Sequence, residues 1–473
     1  MNDKSKLPHF IRCVIPVLVA SALAGCSLAP EYIRPEAPVA PTYTAAEKPA
    51  DQAVEVALPE WKAFFRDETM QRVIEIAIEN NRDLKVAILN IEKTRAQYRI
   101  QRADLLPTIN ASTGGTSQRL PAEFNSRGVE GVSRQYTASL GFSAFELDLF
   151  GRVRNLTEQA LETFHSVEAD AKSARLSLVA ETAGMYLQLV ADREIHDLTA
   201  ATLKNREENL ELVEKKFAAG VASDLDVSQA QTLVEEARTS LAVLATKVGQ
   251  DENYLVLLMG SPLPKDLPEV RKLSEIVALQ DIPEGLPSSL LENRPDIQAA
   301  EHLLKGTNAN IGAARANFFP TISLTAGLGR MSSDYSNLFD AGGRHWVFSP
   351  QLVVPIFDTG RNIARLEMSE AERDMAVARY EKTIQVAFRE VADALVQREN
   401  MQIQLKSQES LVASTGRSYQ HASVRYEAGV ASYINVLDAQ RTLYAAQSSL
   451  IGTRLLRESN ALALYKALGG GWS

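Results

Sequence analysis

"YEAGVASYINVLDAQ", residues 426–440, decides how this chain folds, because "FAAGVASDLDVSQAQ", residues 217–231, says nearly the same thing about two hundred residues earlier. In both, Gly-Val-Ala-Ser separates two stretches with helical spacing. Glycine suits the left-handed position that closes a helix, so each stretch predicts a turn between two helices. Upstream, from Arg152 to Ala219 and again from Arg361 to Ala428, there is no proline and hardly a glycine. Leu176, Val179, Ala183, Tyr186, Leu187 and Val190 keep one apolar helical face, as do Ala387, Val391, Ala394 and Leu395. Each stretch of about 68 residues would make a rod roughly 100 Å long. Returning helices are predicted at about 225–258 and 434–467.

The repetition extends beyond the turns. "ENNRDL" (79–84) matches "ENRPDI" (292–297), and "RADLLPTI" (102–109) matches "RANFFPTI" (315–322). A period this long is a duplicated supersecondary unit and not a solenoid repeat. Residues 61–259 read as a first repeat of helix, two strands, long helix and return helix, and 287–468 as the second. Between them 260–286 is a proline-rich linker, and 469–473 is a short C-terminal tail. The opening helices, about 68–105 and 287–318, stop where proline follows. Period-2 alternation then marks strands. Ile322, Leu324, Ala326 and Leu328 share a face, as do Trp346, Phe348, Leu352, Val354 and Ile356, and in the first copy Tyr136, Ala138, Leu140, Phe142 and Ala144. "TINASTGGT" (108–116) alternates weakly as the remaining strand, and the polar, Gly-rich stretches at about 117–134 and 331–345 are exposed loops.

The N-terminus has the form of an export signal. Lys4, Lys6 and Arg12 precede a short apolar run, Cys13–Ala24, so residues 1–25 are expected to be a signal peptide. Leu23, Ala24, Gly25 and Cys26 resemble the bacterial lipobox, which makes Cys26 the expected lipid-bearing residue; Ser27 in place of aspartate favours the outer membrane. Residues 26–60, with six prolines from Pro30 to Pro59, read as an extended lipidated tail. Without Cys13 the chain keeps one cysteine, so no internal disulfide and no cysteine-based metal site are expected. The net charge of -9 argues against nucleic acid as partner. No later segment has eighteen consecutive apolar residues, so any membrane crossing has to be β-structure.

Four strands with one apolar face cannot close by themselves in lipid, where the smallest closed barrels have about eight strands. Three chains would supply twelve, enough for one barrel. The expected architecture is therefore an α+β membrane protein: a homotrimer whose four strands per chain build a shared 12-stranded transmembrane β-barrel above a tube of the long helices. The competing reading is a lipid-anchored periplasmic helical scaffold with a small β-sandwich cap.

At "LAGCS", "ELDLFGRVR" (146–154), "GLPSSLLENRPDIQAAE" (285–301), "ANIGAARANFFPTISL" (309–324), "PIFDTGR" (355–361), "AFREVADAL" (387–395), "VLDAQRTLY" (436–444) and "LYKALGGGW" (464–472) the chain resembles the TolC-like outer-membrane factor family, lipoprotein branch. The resemblance implies a trimeric channel with a 12-stranded β-barrel in the outer membrane of a Gram-negative bacterium and a long periplasmic α-helical barrel. It also implies docking to a periplasmic membrane-fusion adaptor and a proton-driven inner-membrane pump of the resistance-nodulation-division type, with drugs, dyes, detergents or solvents as cargo. A duct for type I protein secretion is the alternative within channels.

On the second return helix Ile434, Leu437, Asp438 and Arg441 fall on one face, where the first copy has Leu225, Ser228, Gln229 and Thr232. A trimer would carry three copies of Asp438, not six. The resemblance makes this the periplasmic gate: Ile434 an apolar constriction, Asp438 an acidic ring, Arg441 and Tyr426 tethers. On spacing alone, Asp438 and Arg441 are an ordinary surface ion pair. Gly220, Val221, Gly429 and Val430 are predicted to form the rim that adaptor tips touch, and Asp224 and Asp226, opposite Tyr433 and Asn435, to bias which hairpin moves. The six histidines are scattered without a pair at ligand spacing, and no nucleotide loop or nucleophile motif is present, so neither an enzyme nor a cofactor beyond the covalent lipid is expected.

Overall fold

The structure, a computed structural model, describes residues 27–40, 43, 60–125, 128–264, 272–274, 276, 293–340 and 342–470. The expected signal peptide, Cys26 and most of the expected linker lie outside the described residues. The chain divides into two compact units. One holds Asn90–Glu168 and Ala299–Tyr380 with the tail up to Glu36; the other holds Ala37–Leu89, Ala169–Gln298 and Glu381 onward.

The first unit contains a four-stranded antiparallel meander in the order β1-β2-β3-β4, with β1 Asn110–Leu120, β2 Gly131–Leu147, β3 Thr321–Ser332 and β4 Arg344–Val353. The weakly alternating strand forms and runs further than expected, to Leu120, which shortens the loop before β2. Register brings the apolar residues together: Leu140 opposite Leu328, Leu328 opposite Trp346, Ala326 opposite Phe348 and Ile322 opposite Leu352. This face is bare within the chain, with Trp346 74% exposed and Leu328 67%. Val354 and Ile356 lie past the end of β4, so the expected strand was too long.

A second difference is a bulge in β2. Phe142 pairs with Ala326 but Phe145 pairs with Leu324, so β2 carries one extra residue there. Ala144 adopts a positive φ of 52° and donates its N–H to Thr325 Oγ1 at 3.0 Å. Side chains change face beyond such an insertion. Phe145 and Leu147 therefore continue the apolar face, where simple alternation had put Ala144. The tail runs along the same unit: Arg34 Nη2 meets Glu301 Oε2 at 2.7 Å, and Asn308 Nδ2 donates to the Pro30 carbonyl at 2.8 Å.

The helices are α1 Trp61–Phe64, α2 Glu68–Asn80, α3 Arg82–Ala103, α4 Arg152–Ala218, α5 Asp224–Met259, α6 Pro295–Ala316, α7 Arg361–Glu427 and α8 Tyr433–Ala467. The long rods appear as expected, α4 and α7 having 67 residues each. The expected opening helix 68–105 is instead two helices, because Asn81 leaves the helical region at φ -59°, ψ 131°. Its side chain accepts the Leu84 N–H at 2.9 Å and donates to the Leu258 carbonyl at 2.9 Å, capping α3 and tying it to the end of α5. Arg294, the matching residue of "ENRPDI", does the corresponding job: its Nη1 donates to the Ala467 carbonyl at 2.7 Å, at the end of α8. In each copy one polar side chain closes the opening helix onto the return helix, which accounts for the repeated motif.

α2 buries Met70, Val73, Ile74 and Ala77, and α5 buries Leu255, Leu258 and Met259 where the two helices pack. Phe64 stacks on Tyr465 at 4.1 Å and Phe65 meets the same ring edge-on at 5.9 Å, anchoring α1 in this core. Between α4 and α5 a buried carboxyl, Asp192, lies beside the half-buried Asp251. Asp192, 1% exposed, accepts from Gln188 at 2.7 Å and pairs with Lys247 at 2.8 Å. Asp251, one turn beyond Lys247, has a buried oxygen without a hydrogen-bond partner. Burial, reinforced by the neighbouring Asp192 carboxyl, pushes Asp251 up to about 6. The folded chain thus holds a proton that the unfolded chain releases near pH 4, and stability falls as pH rises from about 4 to about 6. Asp251→Asn supplies a permanent donor to Asp192. Thermal unfolding of the variant should lose that slope and give a higher midpoint than wild type at pH 7.5.

Candidate functional site at the hairpin ends

The second unit includes both turns. At the first, Gly220 N–H donates to the Phe217 carbonyl at 2.8 Å and Val221 N–H to the Lys216 carbonyl at 2.8 Å. At the second, Gly429 donates to Tyr426 and Val430 to Arg425, both at 3.0 Å. These paired bonds are the Schellman arrangement, which satisfies the last carbonyls of α4 and α7 and requires a left-handed residue at the glycine. Gly220 has φ 75° and Gly429 φ 74°. A Cβ at either would meet nothing within 4 Å, so glycine is there for its backbone angle and not for space. Val221 and Val430 follow at 76% and 66% exposure, apolar side chains held out at the turns.

The return helices start differently. Ser223 caps α5 in a reciprocal box: Ser223 Oγ accepts the Asp226 N–H at 3.2 Å, and Asp226 Oδ2 accepts the Ser223 N–H at 2.9 Å. Ser432 makes no side-chain cap, Asn435 standing where Asp226 would complete it. Asp226 is thus occupied as a capping partner, while Tyr433, opposite Asp224 in the repeat, is buried to 4% exposure. Tyr433 joins Val213, Ala230, Leu233, Val436 and Leu437 in a core uniting the two hairpins. Burial pushes its hydroxyl up to about 12. Tyr426 packs against Tyr433 at 5.0 Å and carries the Lys216 ammonium 4.0 Å above its ring.

Ile434, Asp438 and Arg441 are exposed on α8, but Leu437, grouped with them by spacing, turns inward into that core. The side-chain stripe is wide enough for its edge residue to be captured by α5. No ion pair joins Asp438 to Arg441 among the described residues, against the reading from spacing alone. Arg441 instead lines an open groove with Ser228, Thr232, Glu235 and Glu236 of α5. Deeper in, Arg206 is buried, donating Nη1 to the Leu233 carbonyl at 2.7 Å. Burial lowers its pKa from the ordinary arginine value, and its Nε has no partner. Arg206 and Lys216 were not singled out by the sequence, and Tyr433 was named only as the counterpart of Asp224. The signal for Tyr433 was an aromatic facing an aspartate across the repeat, whereas Arg206 offers none. Away from the turns, the first unit brings His165 and His302 together with ring centroids 5.3 Å apart, each bonded through Nδ1 to a glutamate. Among the described residues no group of three or more His, Cys, Asp or Glu could hold a metal ion, and no helix is long and apolar enough to cross a membrane.

The family model described as outer membrane efflux protein matches residues 73–261 and 286–470, and the chain belongs to that family. It is 49% identical over 460 residues to the toluene efflux pump outer membrane protein TtgC of Pseudomonas putida, spanning 96% of this chain and 94% of the relative. Among solved structures, a membrane protein from Pseudomonas aeruginosa superposes with a TM-score of 0.88 at 42% identity, covering 94% of this chain and 98% of that one. The open state of the Neisseria gonorrhoeae MtrE outer membrane channel gives 0.84 at 36% identity, over 94% and 98%.

The turn geometry makes a direct prediction. Gly429→Ala should destabilise by about 1–2 kcal/mol, the cost of a Cβ in the left-handed region, while Val430→Ala should leave stability within about 0.5 kcal/mol of wild type. Denaturant titration of the detergent-solubilised protein measures both.

Proposed function

We propose that this chain is the outer-membrane channel of a tripartite efflux pump, a passive duct for small toxic compounds from periplasm to exterior. The observation that carries this is the four-stranded sheet with its apolar face bare, whose outer strands β1 and β4 each have one neighbour among the described residues. Lipid would cover that face at a gain of about 25 cal/mol per Å², and closure with two further copies would pair both edges. Three chains then make one 12-stranded barrel, and their paired hairpins make a tube of helices below it. The chain contributes a conduit and no chemistry. Energy comes from an inner-membrane pump, of the resistance-nodulation-division type, reached through a periplasmic adaptor.

Lipid on Cys26 would anchor the tail, a reading supported by Leu23, Ala24 and Gly25 before it and by the seating of Ser27, whose Oγ donates to Asn155 Oδ1 at 2.9 Å. The exposed Val221 and Val430 suit the adaptor's tips. Ile434, Asp438 and Arg441 are exposed on α8 and suit a gate, and the charges of Asp438 and Arg441, which Gln229 and Thr232 lack in the first repeat, suit threefold symmetry. Since Asp438 and Arg441 do not neutralise each other within one chain, each is available to a neighbouring subunit, with Tyr426 holding the hairpin beside them. The name of the Pseudomonas putida relative makes aromatic solvents a reasonable first cargo to assay.

Two measurements test this. The detergent-extracted particle should have the mass of about three chains and conduct in planar bilayers; a non-conducting monomer rejects the channel. Asp438→Ala combined with Arg441→Ala should keep the trimer and raise resting conductance several-fold. An unchanged closed conductance rejects the gate while leaving the channel in place.

A further inference from the structure

Lys216 and Arg425 occupy the same place in the two copies, and the carbonyl of each accepts the bond that closes its turn. In the first copy the Lys216 side chain crosses to the other hairpin and lies over the Tyr426 ring, pinning the end of α4 to the end of α7. Moving each partner to its repeat equivalent, 209 positions away, turns Lys216 into Arg425 and Tyr426 into Phe217. A cation and an aromatic ring are thus present a second time. Among the described residues this second pair makes no such contact: Arg425 is exposed, and Phe217 is 46% exposed.

We infer that Arg425 of one chain rests on the Phe217 ring of the next, repeating between subunits the Lys216–Tyr426 contact found within each. The inference rests on the trimeric channel proposed above. In a ring of six hairpins from three chains, each second hairpin is followed by the first hairpin of the neighbouring chain. A contact running from first to second hairpin inside a chain then recurs, in the same direction, from second to first across the seam. Several nearby positions have diverged between the copies, as with Asp224 and Tyr433, Gln229 and Asp438, or Thr232 and Arg441. The cation and the ring have not. Lysine to arginine keeps the charge and adds a flat surface that stacks on aromatics, and tyrosine to phenylalanine keeps the ring face. Attraction to the helix C-terminus explains a cation at Arg425 but leaves the exposed Phe217 ring without a role.

Cross-linking on the full-length protein decides the matter. Phe217→Cys combined with Arg425→Cys, treated with a short bismaleimide, should yield covalent dimers and trimers on a denaturing gel, and neither single variant should. Lys216→Cys with Tyr426→Cys, the same contact within one chain, should react and remain monomeric, which establishes the reagent's reach. Trimeric mass with no covalent ladder overturns the seam contact and spares the channel; monomeric mass overturns both. In bilayers Phe217→Leu should raise closed-state conductance about two- to fivefold, the scale of an exposed cation–ring contact, with Phe217→Tyr like wild type. Equal conductance for the two variants overturns the cation–ring pairing.

Discussion

Everything in this chain is organised around a sheet that one polypeptide leaves unfinished. β1 and β4 each have one strand neighbour among the described residues, and the apolar side of the meander has nothing over it. In water such edges invite aggregation. In hydrocarbon each unpaired amide and carbonyl costs several kcal/mol, so a closed barrel is the available solution. Assembly and membrane insertion are therefore one problem on the proposed reading. Symmetry that finishes the sheet would then pass to the helices, because only residues 148–151 separate β2 from α4 and residues 354–360 separate β4 from α7.

On the proposed reading, the duplication would let three subunits build a tube with near-sixfold regularity. Each copy repeats the same three devices: a polar side chain closing the opening helix onto the return helix, a long unbroken rod, and a left-handed glycine at the turn. The copies then diverge at the starts of their return helices. In the first, Ser223 and Asp226 cap each other and leave Asp224 at the surface. In the second, the cap is missing and Tyr433 plugs the core between the hairpins. A helix start without its cap is less firmly held by its own backbone, and here tertiary packing of an aromatic replaces it. The Tyr433 core joins the second hairpin to the first, whereas the Ser223–Asp226 bonds lie within the first hairpin alone.

Much of this was legible in the sequence, for identifiable reasons. Rods without proline, turns with glycine and period-2 strands are local signals, and they gave the elements to within a few residues. What was missed depends on contacts distant in sequence. The break at Asn81 needs the Leu258 carbonyl to hold it. The bulge at Ala144 needs Thr325 to accept its N–H. Leu437 belongs to the exposed stripe by spacing and to the core by packing, and spacing alone cannot choose. His165 and His302 are separated along the chain and meet only because α4 and α6 lie together. The turn residues were readable because a positive φ is a requirement of the backbone itself.

The same distinction bears on how a gate of this kind can be both tight and operable. Charges at Asp438 and Arg441 lie exposed, where single pairs are worth under about 1 kcal/mol and salt weakens them. Such contacts cannot hold long helices shut one at a time. In the proposed trimer, three copies around a ring, each backed by an aromatic packed inside the hairpin core, would act together. Opening would then need every seam to yield at once, while a docked partner would have to weaken only a few small interactions per subunit. Weak surface contacts repeated by symmetry give a stronger dependence on docking than one strong buried pair, whose rupture would strand a charge at a cost of about 3–5 kcal/mol. The placement of Asp438 and Arg441 at the surface of α8, with Tyr433 rather than a charge in the core behind them, fits a gate built to be released by a partner.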